Sequence, residues 1–266
     1  LPHERTTPKA STDRLDLTRA TRTNLSPVWG LSLARGLTDA LAEPAELVGS
    51  VVVEGVEHVA ERLVDPERIA AIAEVIGSDD VLIADGHHRY GVARSYRDEL
   101  VKAGEPLRGA GATLAFVGEL VADQLAIEPI HRVIRGLTGP ALRAVVSRDF
   151  ELIPAPAVAA SGVAALVAEG ALSGRLLLLE SAMAREGAEP PLWLVPRPGA
   201  FAGVRALDGA WLEHTLAGSS AVVDYQHGVA EVLDVLRADP AASAILIRPA
   251  SLQQIERTAR EGLLMP

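Results

Sequence analysis

Residues 81–100 read VLIADGHHRYGVARSYRDEL, and this stretch fixes how the rest of the chain is interpreted. Val81, Leu82, Ile83 and Ala84 form the short apolar run of a buried strand. Asp85-Gly86 breaks the run, and a helical pattern follows at once. Ala93, Tyr96 and Leu100 fall at i, i+3 and i+7, while Arg94, Arg97, Asp98 and Glu99 face the other way. The helix is expected to stop near Gly104. His87, His88 and Arg89 then stand at a helix N-terminus, beside a glycine that lets a ligand approach the backbone. The N–H groups of a helix's first turn have no intrahelical acceptor, and the dipole there is positive, so this end attracts anions. Two histidines and an arginine at that point suggest phosphate or carboxylate. The alternative is a capped strand–helix corner whose histidines only hydrogen-bond the loop.

Composition narrows the classes of function. The chain has 266 residues, room for one large domain or two ordinary ones. Aromatic residues are 3% against 48% hydrophobic, so Ala, Val and Leu must fill the core. A formal charge of −10 argues against a broad nucleic-acid-binding face, which needs concentrated Lys and Arg. The chain has no cysteine, which excludes disulfides, thiolate zinc sites and a cysteine nucleophile. No apolar run reaches membrane-spanning length and no charged-then-apolar leader opens the sequence. These features lead to the expectation of a soluble, cytoplasmic protein. The opening Leu1-Pro2-His3-Glu4 lacks an initiator methionine, which suggests either a fragment or residues before Leu1 that this numbering omits.

Along the chain, a helix is expected from about Ser11 to Asn24, a strand over 28–33 and a short helix over 37–43. Val51 to Val53 and His58 to Leu63 flank Glu54-Gly55 as a hairpin. Asp65-Pro66-Glu67 starts a helix with a cap, a proline in the first turn and an acid. Ile69, Ile72, Ala73 and Ile76 supply its buried face. Further strands are expected over 113–117 and 125–127. From Thr138 the texture changes, with prolines and an Ala-rich helix before strands at 176–179, 192–195 and 245–247. Helices follow at 210–216, 228–236 and 252–261. The fold class is therefore mixed α/β (α+β) in two lobes, residues 1–137 and 138–266.

Four polar clusters are candidates for chemistry. Asp85, at a strand's C-terminal end, stands where α/β sheets present functional groups. It could hold Mg²⁺ beside bound phosphates, because hard cations prefer carboxylate oxygen, or it could cap the helix. His3-Glu4-Arg5-Thr6-Thr7-Pro8-Lys9 places a carboxylate among cations in a chain with only two lysines, Lys9 and Lys102. That carboxylate could serve as a general base. The last two clusters, Pro129-Ile130-His131-Arg132 and Tyr225-Gln226-His227, read as structural first. The first follows an apolar strand and the second precedes a helix. The P-loop, GxGxxG, HExxH and GxSxG signatures are absent from the sequence.

In order, PHERTTPKASTDRL, RTNLSP, IADGHHRY, PIHR and YQH resemble the bacterial and archaeal family known as domain of unknown function 1015, over essentially the whole chain. DGHHRY is also similar to the DGxHR motif of ParB/sulfiredoxin-like nucleotide-binding folds, in particular the free-serine kinases. The resemblance implies a ParB/sulfiredoxin-like first lobe that binds ATP or ADP with Mg²⁺. Gly86, His87, His88, Arg89, Arg5 and Lys9 would hold the phosphates, and Asp85 would lie near the metal or the transferred phosphoryl group. Glu4, from a His-Glu pair like that of the kinases, would be the catalytic base. His3, His131, Arg132, Tyr225 and His227 would support the site. The implied activity is phosphoryl transfer from a nucleotide to a small hydroxylated metabolite. The alternative is a ParB-like nucleotide-dependent regulator without turnover. The same resemblance implies a segment before the HERT motif and a polar tail after Met-Pro.

Overall fold

The structure is a computed structural model that describes residues 8–181 and 190–265, with the side chains of 8–12 outside the description. The fold is mixed α/β and divides into two compact units. The first holds residues up to Leu125 together with Ile255–Met265, and the second holds Ala126–Gln254.

The first unit runs α1 (Pro8–Thr21), β1 (Val28–Ser32), α2 (Leu37–Leu41), β2 (Glu46–Val53), β3 (Val56–Arg62), α3 (Pro66–Gly77), β4 (Val81–Asp85), α4 (His87–Ala103) and β5 (Ala115–Glu119). α1 begins three residues before the expected Ser11, since proline is accommodated in a helix's first turn, where its missing N–H costs nothing. β4, β1 and β5 form a three-stranded sheet with β1 in the middle, antiparallel to β4 and parallel to β5. Val28, Leu31, Leu37, Leu82 and Ile83 are its buried core. Gly30 permits the close approach of β1 to β4, since a Cβ there would stand 2.7 Å from Val81 Cγ1. Among the described residues β2 and β3 pair only with each other, around Glu54-Gly55 with both residues at positive φ.

α3 starts as the sequence predicts, with Asp65 accepting the Glu67 N–H at 2.9 Å. Its apolar stripe, however, is not a buried face. No residue of α3 is buried, and Ile69 is 46% exposed. The helix packs against α2, whose five residues are too few to cover such a stripe.

The second unit runs β6 (Ile130–Arg135), α5 (Gly139–Val146), β7 (Phe150–Pro154), α6 (Val163–Ser173), β8 (Leu176–Glu180), β9 (Leu192–Pro196), α7 (Asp208–Leu216), β10 (Val222–His227), α8 (Val229–Ala238) and β11 (Ser243–Leu246), and leads into α9 (Leu252–Arg260). Its sheet is antiparallel in the order β10-β6-β11-β8-β9-β7. Helices cover both faces. Leu177, Leu179 and Leu246 pack with Val163, Leu166, Val232 and Leu236 of α6 and α8. Leu176, Leu178 and Ile245 pack with Leu142, Val146, Leu212 and Leu216 of α5 and α7. Two covered faces explain why Leu176 to Leu179 is a continuous apolar run rather than an alternation.

The expected strand over 125–127 is not formed. That segment is irregular after a 3₁₀ turn at 122–124, and Pro129 lacks the N–H a ladder requires. The strand begins one residue later, so Ile130, His131 and Arg132 lie inside β6 rather than after a strand. Likewise Tyr225, Gln226 and His227 end an edge strand, not open a helix. α5, β7 and β10 are elements the sequence reading lacks.

Candidate functional site

The β4–α4 corner is built by one backbone feature. After Asp85 the chain turns through Gly86 at φ +93°, ψ 25°, and the 17-residue α4 begins at His87. This left-handed conformation favours glycine. Space favours it too, because a Cβ on Gly86 would meet the Arg89 guanidinium at 3.0–3.2 Å. Arg89 therefore folds back over the turn. It donates to the Asp85 carboxylate and the Pro27 carbonyl, and to Ser26 Oγ at 3.2 Å. The Asp85 side chain remains 68% exposed, against 24% for Arg89. Glycine offers the first turn no side-chain acceptor. His87 is buried and His88 half-buried.

Ser26 and Pro27, from the RTNLSP stretch, are thus the part of the corner that residue-by-residue reading missed. Their signal was the motif itself, which carries no obvious catalytic group. The strand register adds a second feature. Asp85 is paired with Trp29 on β1, and Trp29 with Phe116 on β5. Trp29 is 38% and Phe116 60% exposed, with ring centroids 6.5 Å apart. In a chain so poor in aromatics, two of them form an open row beside the exposed carboxylate.

Further along α4, Ala93, Tyr96 and Leu100 do not simply enter the core. With Arg22, Asn24 and Arg108 they line a cavity of about 490 Å³. α1 is held against α4 by Arg19, which donates to Glu99 at 2.5 and 3.0 Å. That pairing lowers the Glu99 pKa. A second acid that ends a strand, Glu119, is buried and accepts the N–H groups of Thr38 (2.8 Å) and Gly36 (3.2 Å). The Thr38 bond is the main cause of its lowered pKa.

The remaining predicted residues fall in two places. His3, Glu4 and Arg5 lie outside the described residues, as does the Lys9 side chain. His131, Arg132, Tyr225 and His227 come together in the second unit. Arg132 pairs with Tyr225, His131 with Gln226 and Ile130 with His227 across β6 and β10. His131 is buried, and its Nδ1 accepts the Ile247 N–H at 3.2 Å, so the proton of the neutral ring sits on Nε2. Burial, helped by the charges of Arg132 and His227, pushes its pKa down to about 4. The Arg132 guanidinium lies 4.6 Å from the centroid of the exposed Tyr225 ring, and burial lowers its pKa as well. A polar cluster not foreseen joins the same unit. Buried Asp208 accepts the Arg248 N–H at 2.9 Å and two guanidinium nitrogens, and Arg248 lies over Trp211.

Among the described residues no three His, Asp or Glu gather into a metal-binding group. Mg²⁺ takes one or two carboxylates and fills its octahedron with phosphate and water oxygens. Asp85 alone fits as one such ligand once Arg89 releases it. No helix among the described residues is long and apolar enough to cross a membrane.

Comparison with known proteins gives the following. None of the curated proteins matches the sequence. Among solved structures, the chain is similar to a free serine kinase, a glutamate-to-alanine mutant in complex with ADP. The match has 13% identity and a TM-score of 0.46, covering 99% of this chain and 79% of that one. A conserved hypothetical protein from Pyrococcus furiosus matches with 11% identity and a TM-score of 0.43, covering 99% and 82%. SbnI with C-terminal truncation, from Staphylococcus aureus, matches with 10% identity and a TM-score of 0.46, covering 100% and 75%. The family described as "Protein of unknown function (DUF1015)" matches residues 1–235, most of the sequence, and the chain belongs to that family.

Proposed function

We propose that this protein binds a nucleotide at the β4–α4 corner and transfers a phosphoryl group to a small hydroxylated metabolite. The observation that carries the reading is the juxtaposition at Asp85. An exposed carboxylate, a glycine-capped helix N-terminus and an arginine meet there, beside the open Trp29–Phe116 row. The helix end and Arg89 suit phosphate oxygens. The aromatic row suits a base, because stacking tolerates any base and contributes ~1–3 kcal/mol. His88 is a second candidate for phosphate, with Arg5 and Lys9 completing the set. Asp85 would be the protein ligand of Mg²⁺, which would supply charge neutralisation at the transferred phosphate.

In the transfer, the acceptor's hydroxyl oxygen forms a bond to the terminal phosphorus while the phosphorus–oxygen bond to the departing nucleotide breaks. The hydroxyl proton passes to a carboxylate, for which the family resemblance nominates Glu4. Positioning and charge neutralisation supply most of the acceleration in such reactions.

A second reading is favoured by one detail. Arg89 makes three hydrogen bonds, to Asp85, Ser26 and Pro27, so an anion that takes over those donors displaces these protein acceptors. A nucleotide that releases the RTNLSP strand start from the corner would act as a switch without turnover. One assay separates the two: transfer of labelled phosphate from ATP or ADP to serine and related hydroxyl compounds, with and without Mg²⁺. Under the kinase reading Glu4→Gln keeps nucleotide affinity and loses turnover, while Trp29→Ala weakens binding by ~1–3 kcal/mol. Nucleotide binding by the wild type with no transfer to any acceptor leaves the switch. Absence of any nucleotide-dependent melting shift overturns both.

A further inference from the structure

The β2–β3 hairpin is built like a strand pair that has a partner. All fifteen residues of its two strands are exposed, and among the described residues it pairs with no other strand. Leu47, Val48, Val51, Val52, Val53, Val56 and Val59 are each at least half exposed. Cross-strand register places Val51, Val53, Val56 and Ala60 on one face and Leu47, Val52 and Val59 on the other. An isolated two-stranded hairpin is marginal in water, and one with valines on both faces gives away the burial that stabilises strands. Arg62 pairs with Glu46 across the hairpin's base, and Arg68 of α3 donates to the Glu43 carbonyl just before β2.

The two edges differ. Soluble proteins blunt exposed edges with charge. β3 does so with Glu57, Glu61 and Arg62, whereas β2 carries no charge from Leu47 to Val53. A bulge interrupts β2 at Leu47/Gly49, leaving Gly49 to Val53 as a regular, uncharged run. We infer that this run pairs antiparallel with the same run of a second copy of this chain, giving a four-stranded sheet β3-β2-β2-β3 across a two-fold axis at Val51.

Charge and symmetry select the occupant. A two-fold contact brings residue i against j and j against i. Centred on Val51, it sets Val51 against Val51, Ser50 against Val52 and Gly49 against Val53, with no like charges opposed. The same operation centred on the middle of β3, Val59, would oppose Glu57 and Glu61. Two chains of charge −10 repel each other over most of their surface, so a contact between copies belongs on a neutral strand.

The test exploits the absence of cysteine, since any disulfide in a single-cysteine variant is intermolecular. Val51→Cys is expected to cross-link under mild oxidation at least tenfold faster than Val59→Cys on β3. Sedimentation velocity at 5–100 micromolar, about the range in which weak dimers form, should show a concentration-dependent dimer for the wild type. It should show a monomer for Val51→Lys, with an unchanged melting midpoint of the body, and a dimer for Val59→Lys. If Val51→Lys fails to fold, the cysteine pair still decides. Equal cross-linking of both cysteines, a wild type monomeric throughout, or a dimer that survives Val51→Lys overturns the inference.

Discussion

The β4–α4 corner and the β6–β10 pair contain the same kinds of residue in opposite environments. Each sets histidine and arginine next to each other in a short polar motif. At the corner the acid is open to solvent and Arg89 lies in a surface network with Ser26 and Pro27. In β6, His131 and Arg132 are inside the second unit, one hydrogen-bonded to the Ile247 N–H and the other under Tyr225. Burying an ionisable group costs free energy unless it is neutral or well paired, so the β6 residues are invested in folding. At the corner the Asp85 carboxylate stays mostly in solvent, which a ligand can replace, while Arg89 has to exchange its protein acceptors. Motif membership does not distinguish the two cases. Burial does.

This contrast predicts where mutations hurt stability and where they hurt function. The largest stability effect is expected in the second unit at Asp208, whose removal leaves Arg248 without its carboxylate in a mostly buried place. Asp208→Ala should cost about 3–5 kcal/mol in urea unfolding. A loss under 1 kcal/mol would mean that the second unit's buried charges are no more structural than those of the corner.

Next comes the pH dependence of His131. Its folded pKa, about 4, is below the ordinary 6.5, so the unfolded chain binds more protons between these values. Stability therefore falls as pH drops from 7 towards 4, by roughly 3 kcal/mol from this residue. His131→Asn keeps an acceptor near the Ile247 N–H and cannot titrate. The wild-type and variant stability curves should diverge below pH 6.5, and parallel curves would remove His131 from the structural group.

Smaller effects are expected at the corner. Gly86→Ala forces a left-handed residue against Arg89 and should cost about 1–2 kcal/mol. Its effect on nucleotide affinity should exceed that, because Arg89 must leave its place. Arg89→Ala should weaken nucleotide binding by ~1.5–3 kcal/mol, the scale of a charge-assisted hydrogen bond. A corner variant that lost only stability would sink the contrast from the other side. The smallest effect belongs to the exposed Arg19–Glu99 pair, where Glu99→Gln should cost ~0.2–1 kcal/mol and less at high salt.

Local signals were sufficient for much of the fold. The hairpin at Glu54-Gly55, the Asp65-Pro66 helix start and the passage from strand to helix through Asp85-Gly86 follow from backbone chemistry within a few residues. They were legible because a positive φ, a cap or a proline acts on its neighbours alone. The mixed α/β class was also in the sequence.

Other features depend on what lies opposite. The apolar stripe of α3 reads as core, yet it has only the short α2 beside it. Ile130, His131 and Arg132 read as a polar stop, yet β10 and β11 flank them as an interior strand. The row Asp85, Trp29, Phe116 joins residues up to 87 positions apart, and only strand register brings them to one surface. Arg89 reads as a free phosphate ligand until the fold sets Ser26 and Pro27 against it. Sequence states which groups a segment carries. Whether a group is solvated, paired or buried is decided by neighbours distant along the chain, and desolvation and charge pairing, which set its chemistry, act through those neighbours.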